Sequence, residues 1–388
     1  MKILHIYKDY FPVLGGIENY TRQLAEQMVT QGHEVEVLVT NSAHHTIREN
    51  RAGVKITKSS SLLTIASTPL SLRLPLEWYR HRYATNPPDI VHLQAPYPIG
   101  EAAWLLGEWL PSFGHKRPHA LLTYHSDIIR QKRLLTVYSP FLRATLKRVD
   151  GIIATSPNYI ESSPFLKPVA TKCRVIPLGV DTKRFESFDP AAVNRIRERY
   201  ATGQVKTLLL FTGRLRYYKG LQFLLEALPQ VNPTARLLVI GIGPMEQALK
   251  EQAEQLQLGQ RVIFLGEIPD AELVNYYAAS DIFILPSCER SEAFGIVQLE
   301  AMAAGKPVIS TELGTGTSYV NLDGETGLVV PPSNPSALAQ AINELVTNPE
   351  RGKKLGAQGQ ERTRATFSLK KMAEEVEKFY IEVSSGSS

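Results

Sequence analysis

Short aliphatic and β-branched runs recur along the chain, each followed by a turn and then by apolar positions at helical spacing. Residues 2–7 and 34–39 are two such runs. They flank an amphipathic pattern from Ile17 to Gln31, closed by Gly32 where a helix commonly ends in a left-handed residue. Strand, helix, strand in this order is the unit of a parallel sheet. The spacing predicts further strands at Asp89–Leu93, His119–Tyr124 and Gly151–Thr155, and a strand-like run through Cys173–Asp181. Ser60–Arg82 and Gly100–Trp109 read as helical or loop-like segments carrying exposed aromatics. Thr182–Pro190 is polar and predicts a linker. The alternation then restarts, with strands expected at Thr207–Phe211, Arg236–Ile240, Val262–Phe264, Ile282–Leu285, Pro307–Ile309 and Gly327–Val330. Pro335–Val383 predicts a run of helices before a Ser/Gly tail expected to be disordered. The pattern is α/β: two Rossmann-like βαβ domains, 1–181 and 190–366, with ligands expected at strand C-termini in a cleft between them.

Length agrees with two domains, because 388 residues exceed one comfortable core. With 43% hydrophobic and 21% charged residues the composition is ordinarily globular. No run of about 18 apolar residues is present, and the first residues read as a strand and not as a secretion signal. Two cysteines, Cys173 and Cys288, stand far apart without metal-ligand spacing and fit a reducing compartment. The expected location is cytoplasmic. Net charge is +5, and its placement matters more than its size. Bases interleave with Leu, Val, Tyr and Phe through Arg130–Arg148, a stretch suited either to packing on its own domain or to an anionic membrane surface on the inner face of the cell membrane. No nucleic-acid-binding motif accompanies it.

Candidate chemistry concentrates at predicted strand ends. After the run Ile282–Leu285 comes a polar loop with Glu292, then a predicted helix starting near Gly295 with Glu300 in its first two turns. Backbone N–H groups around Ala293, Phe294 and Gly295 would stand unpaired at that helix start, a seat for anionic or hydroxylated ligands. Other carboxylate pairs at the same spacing, Glu18/Glu26, Glu246/Glu254 and Glu374/Glu382, lie on charge-rich helical patterns and read as solvated surface. The first loop places Gly15 and Gly16 directly before a helix, where backbone can approach an anion. In the second half, Gly213 and Arg214 end a strand and Lys219 opens the next helix, a guanidinium fork and a point charge fit for a diphosphate. Gly243, in the loop 241–244, and Glu267-Ile268 could line a nucleotide. His125 ends a first-domain strand and could donate to an oxygen or act as a base with Asp127 near; His92 is similarly placed. No cluster with metal-ligand spacing and no G-x-S-x-G elbow occurs.

Gly15-Gly16, Tyr124-His125-Ser126-Asp127, Gly213-Arg214-Leu215 with Lys219-Gly220, and E-A-F-G-I-V-Q-L-E ending at Glu300 together resemble the family-4 retaining glycosyltransferases of GT-B fold, over essentially the whole chain. The runs Y-H-S-D-I-I-R-Q and E-L-G-T-G-T-S-Y-V-N are similar to bacterial mannosyl- or rhamnosyltransferases of polysaccharide assembly. The resemblance implies that Arg214 and Lys219 hold a donor diphosphate with help from the Gly16 amide. It implies that Glu292 and the amides after it hold donor-sugar hydroxyls, that Glu300 holds the ribose, and that His125 sits over the sugar. It also implies that the final helix, about 369–383, returns to the first domain, and that no metal or other cofactor is needed beyond the nucleoside-diphosphate sugar. Ser126 separates His125 from Asp127, so a role for the acid does not carry over. The expected reaction moves a hexose, mannose-like, from a GDP- or UDP-linked donor to a glycan or polyprenyl-linked hydroxyl. The alternatives are a nucleotide-sugar epimerase or a phosphorylase on the same architecture.

Overall fold

A computed structural model describes residues 1–13, 15–65, 68–128 and 132–386, and the chain divides into two compact units, Met1–Leu178 with Leu369–Ser388, and Gly179–Ser368. The first unit begins with β1 (Lys2–Ile6), α1 (Gly16–Thr30), β2 (Glu34–Asn41), β3 (Ile47–Arg51), β4 (Val54–Ser60), β5 (Leu63–Ile65) and β6 (Thr68–Leu70). It continues through α2 (Arg73–Arg82), β7 (Ile90–Ala95), α3 (Pro98–Trp109), β8 (His119–Tyr124), α4 (Lys132–Arg148), β9 (Gly151–Ala154), α5 (Pro157–Ser162) and β10 (Cys173–Val175). Its main sheet runs β10-β9-β8-β7-β1-β2-β4-β3, parallel except for the β3–β4 pair. Helix α1 stops as its sequence directs: Gly32 takes φ +86° and the N–H of His33 reaches back to the carbonyl of Met28, a Schellman closure.

The second unit holds α6 (Thr182–Glu186), α7 (Pro190–Tyr200), β11 (Thr207–Thr212), α8 (Leu221–Ala227), β12 (Ala235–Ile240), α9 (Glu246–Gln255), β13 (Val262–Gly266) and α10 (Asp270–Ala279). Then follow β14 (Ile282–Leu285), α11 (Ile296–Ala303), β15 (Val308–Thr311), α12 (Gly316–Val320), β16 (Gly327–Val330), α13 (Pro335–Thr347) and α14 (Pro349–Thr366). The sheet order is β13-β12-β11-β14-β15-β16, all parallel, and its strands are buried aliphatic runs as a doubly covered sheet requires. Strand order reverses between β11 and β14, the position where such sheets leave a crevice at their C-terminal ends. In the first unit the reversal falls between β1 and β7.

The last helix, α15 (Leu369–Ser385), belongs to the first unit. Tyr380 is fully buried and bonds to His92, while Phe379 lies so close under Gly151 that a Cβ there would come within 2.5 Å of its ring.

Several sequence expectations need correction. Thr182–Pro190 is no linker but α6 and the start of α7, inside the second unit. Its polar residues are caps: Asp181 accepts from the Arg184 N–H, and Asp189 accepts from the Ala191 N–H with Pro190 at the first helical position. Ser60–Arg82 contains the β5–β6 hairpin as well as a helix. Trp78 and Trp104 are buried and only Trp109 of the three tryptophans is exposed, so these segments carry fewer exposed aromatics than expected. The terminal Ser/Gly tail is helical to Ser385; residues 387–388 lie outside the described residues, as do Arg130 and Gln131 of the basic stretch.

Candidate active site

The end of β11 and the loop after β14 meet in the second unit. Lys219 closes a single 3-10 turn after β11, and its Nζ lies 2.6 Å from Oε2 of Glu292. Both are buried, at 8% and 7% exposure, although 73 positions separate them. The Ser287 hydroxyl donates to the same carboxylate oxygen at 2.9 Å, and the Thr315 hydroxyl donates to the Glu292 carbonyl at 2.8 Å. Burial works against a charged Lys219, but Glu292 beside it, with Tyr218 and Glu300 further off, outweighs that and lifts its pKa above the ordinary lysine value. Lys219 is therefore held in its charged form. Arg214, on the same loop, is exposed.

Glycines allow these loops to stack. Gly213 has φ +142° and lies against the stem of Lys219. Gly241 has φ +128°, and a Cβ on it would meet the Gly213 carbonyl at 2.1 Å; one on Gly243 would meet the Leu215 carbonyl at 2.4 Å. Gly220, at φ +68°, faces the Pro286 carbonyl at 1.9 Å from any added Cβ. The close approach at Gly241 and Gly243 is thus made to the backbone of residues 213 and 215. Glu267, exposed, and Ile268, partly buried, follow β13 on the same side of the sheet.

Helix α11 starts where the sequence placed it. Gly295 is its N-cap at φ +73°, and an added Cβ would strike Leu285 and Gln298. Ala293 and Phe294 are buried, with the Phe294 ring edge-on to Phe367 at 6.1 Å between centroids. The Tyr277 hydroxyl donates to Glu300 at 2.7 Å and shares a 2.7 Å bond with Thr212 at the end of β11. Burial pushes the Glu300 carboxyl up to about 7, against the Tyr277 bond and the pull of Arg184.

The strand ends of the first unit carry a neutral network. His125 follows β8, 5% exposed, and donates from Nε2 to Oε1 of Gln94 at 2.8 Å; Gln94 in turn donates to Nδ1 of His5 at 3.4 Å. Burial drives both His125 and His5 down to about 3. With Nε2–H engaged by Gln94, His125 keeps a lone pair at Nδ1, which suits the base among the two roles the sequence reading allowed. Asp127 accepts from Tyr124 and Ser163, each at 2.8 Å, which ties it to the end of β8 and the end of α5. His92 sits fully buried between Tyr380 and Thr123 and serves the core.

Gly15 is extended at φ 179°, Gly16 is the first residue of α1, and nothing lies within 4 Å of a Cβ built on Gly16. The Glu18 carboxylate lies over Gly15, 7% exposed and 3.8 Å from the Lys8 ammonium. Glu18 is therefore not the solvated surface acid expected from its charge-rich helix. Sequence reasoning also passed over Gln94, Thr212, Tyr277 and Ser287; only Ser287, one step past an apolar run, carried a signal. Among the described residues, no group of three or more His, Cys, Asp or Glu could hold a metal ion.

The chain thus combines two mainly parallel sheets with a buried Lys–Glu pair at the reversal point of the second. Residues 14–184 match Glycosyltransferase Family 4 and residues 193–362 match the group 1 glycosyl transferases. The chain is 37% identical to the D-rhamnosyltransferase WbpZ of Pseudomonas aeruginosa, covering 95% of this chain and 92% of that one. It is 34% identical to the O-antigen chain mannosyltransferase C of Escherichia coli, covering 96% of each. Sucrose-phosphate synthase from Thermosynechococcus elongatus superposes with TM-score 0.82 at 25% identity, over 99% of both chains. The chain belongs to the family-4 glycosyltransferases of GT-B fold.

Proposed function

We propose that this chain transfers a mannose-like hexose, with retained configuration, from a GDP- or UDP-linked sugar, GDP-mannose being favoured, to a hydroxyl of a glycan or polyprenyl-linked acceptor. The observation that carries this reading is the buried Lys219–Glu292 pair at the β11/β14 reversal, with exposed Arg214 in the loop that leads to Lys219. The mannosyl and rhamnosyl specificities named for the relatives favour the sugar. As the bond from the anomeric carbon to the phosphate oxygen breaks, charge grows on the diphosphate. Arg214 supplies a planar fork, and Lys219 shares its charge between Glu292 and the phosphate. The bond to the acceptor oxygen forms on the same face, and the acceptor proton passes to the departing phosphate oxygen.

Glu292 positions sugar hydroxyls and is not a nucleophile, since its carboxylate is already committed to Lys219 and Ser287. Glu300 binds the ribose. The Gly16 amide and His125 assist the donor, the latter as an acceptor. No metal takes part. The enzyme works in the cytoplasm at the inner face of the membrane, with the basic α4 region as its contact.

The test is to supply GDP-mannose, UDP-glucose and ADP-glucose in turn, measure the rise in unfolding temperature, and follow product with an acceptor by NMR. Tighter stabilisation by GDP-mannose and an axial product in the presence of EDTA are expected. Free sugar isomers without acceptor, or turnover requiring inorganic phosphate, would replace this reading by epimerase or phosphorylase chemistry.

A further inference from the structure

Near the C-terminal end of β7, Gln94 is 1% exposed and stands between two imidazoles. Its Oε1 accepts from Nε2 of His125 at 2.8 Å, and its amide nitrogen reaches Nδ1 of His5, on β1, at 3.4 Å. A side-chain amide can serve two such neighbours in only two ways, related by exchanging its oxygen and nitrogen. In the way observed, the His125 proton is on Nε2 and the lone pair is on Nδ1. Exchanged, the amide would donate to Nε2 and drive the proton to Nδ1. Nδ1 makes no hydrogen bond among the described residues, yet it is not one of the polar atoms sealed from water. It is the nitrogen left for a substrate.

The arrangement carries a penalty at its far end. With the amide donating to Nδ1, His5 holds its proton on Nε2, which is buried and has no partner. Exchanging the amide would leave a bare lone pair there instead, and a stranded N–H is the rarer orphan in folded proteins. The pairing therefore favours His125 over His5. Charge is kept out as well. The titratable groups around His125 are His5 of β1, His92 of β7 with Tyr380 of α15 behind it, and Tyr20 of α1, edge-on at 4.9 Å. Asp127, two residues on, is engaged by Tyr124 and Ser163. Tyr20 is itself bonded to Thr123 at 3.2 Å, so the ring packed on His125 is tied to the sheet. A glutamate has the shape of Gln94, but its charge would draw a second proton onto the imidazole.

We infer that Gln94 is a positioning residue: it fixes the tautomer of His125 so that Nδ1 accepts from a hydroxyl of the donor sugar. This deepens the reading of His125 as an acceptor in transfer and rests on it, but the tautomer itself is measured without donor. Nitrogen NMR of the isotopically labelled full chain, with His125 assigned by difference from His125→Gln, should show a protonated Nε2 and a bare Nδ1 near neutral pH. Gln94→Glu should place a proton on Nδ1 and move the acid limb of kcat/KM up by about one to three pH units. Gln94→Met, uncharged and of similar length, should give a mixture of tautomers and lower kcat/KM about tenfold, roughly what one neutral hydrogen bond contributes, without moving the limb. Unfolding temperature shows whether each variant is folded; if Gln94→Met is not, the isosteric Gln94→Glu carries the test. A protonated Nδ1 in the parent, a bare Nδ1 in both variants, or a parental pH profile in Gln94→Glu would overturn the assignment. A parent with the expected tautomer but no transfer from any donor would instead overturn the transferase reading on which it rests.

Discussion

The two strand-end regions are built on the same kind of parallel sheet, yet they handle charge in opposite ways. In the second unit a buried ammonium and carboxylate face each other at 2.6 Å. In the first, His125, Gln94 and His5 form a neutral relay, and burial keeps both imidazoles uncharged. The difference teaches that sheet topology supplies a crevice but not its electrostatics. One unit buries an ammonium beside a carboxylate at its strand ends; the other presents neutral donors and acceptors there.

The contrast breaks most sharply at Lys219. Lys219→Ala should cost about 3–5 kcal/mol of stability, as stranding one buried partner does, and should lower transfer at least 100-fold. Adding Glu292→Gln should return part of the stability and none of the activity; denaturant unfolding of the double variant checks this. Arg214→Ala should raise the barrier by about 3 kcal/mol while leaving stability unchanged, because the side chain is exposed. Near-parental kcat/KM in that variant would remove Arg214 from the site.

Acid should separate the units. His5 and His125 are depressed from 6.5 to about 3, so the stability they contribute is present above pH 6.5 and is lost as pH falls towards 3. Between pH 6.5 and 5 each loses about 2 kcal/mol. Amide hydrogen exchange should show the first unit losing protection before the second.

Glu300 runs the other way and gives the smallest effect. Its carboxyl is raised from 4.5 to about 7, so its contribution is full below pH 4.5 and vanishes as pH rises through 7. Glu300→Gln should flatten the second unit's pH dependence by about 2 kcal/mol between pH 5 and 7. An unchanged slope would place the titration elsewhere.

Most of the parallel strands were legible because buried strands are aliphatic runs, and β8 and β14 match their predicted limits. The edge pair β3–β4 was not. Ile47–Arg51 is largely exposed and reads as polar, and the pair turns at Ala52-Gly53, with Ala52 at φ 50°, where the turn signal would normally be Asn or Asp. Glycines and charged groups at strand ends were visible one by one. Their pairing was not, since nothing local says that Lys219 reaches Glu292 or that Glu18 turns inward over Gly15. The direction of hydrogen bonds was hidden too: Nδ1 is the nitrogen left to accept on His125 because Gln94, 31 residues earlier, accepts from its Nε2–H.

The return of α15 to the first unit has a consequence for biosynthesis. Residues 179–368 are one continuous stretch and can complete their own core without the last helix, although they come later in the chain. The N-terminal segment must wait for Phe379 to fill the space under Gly151 and for Tyr380 to reach His92. A released chain ending before Leu369 would hold every residue of the second unit and leave the first without the helix that closes it, exposed to chaperones.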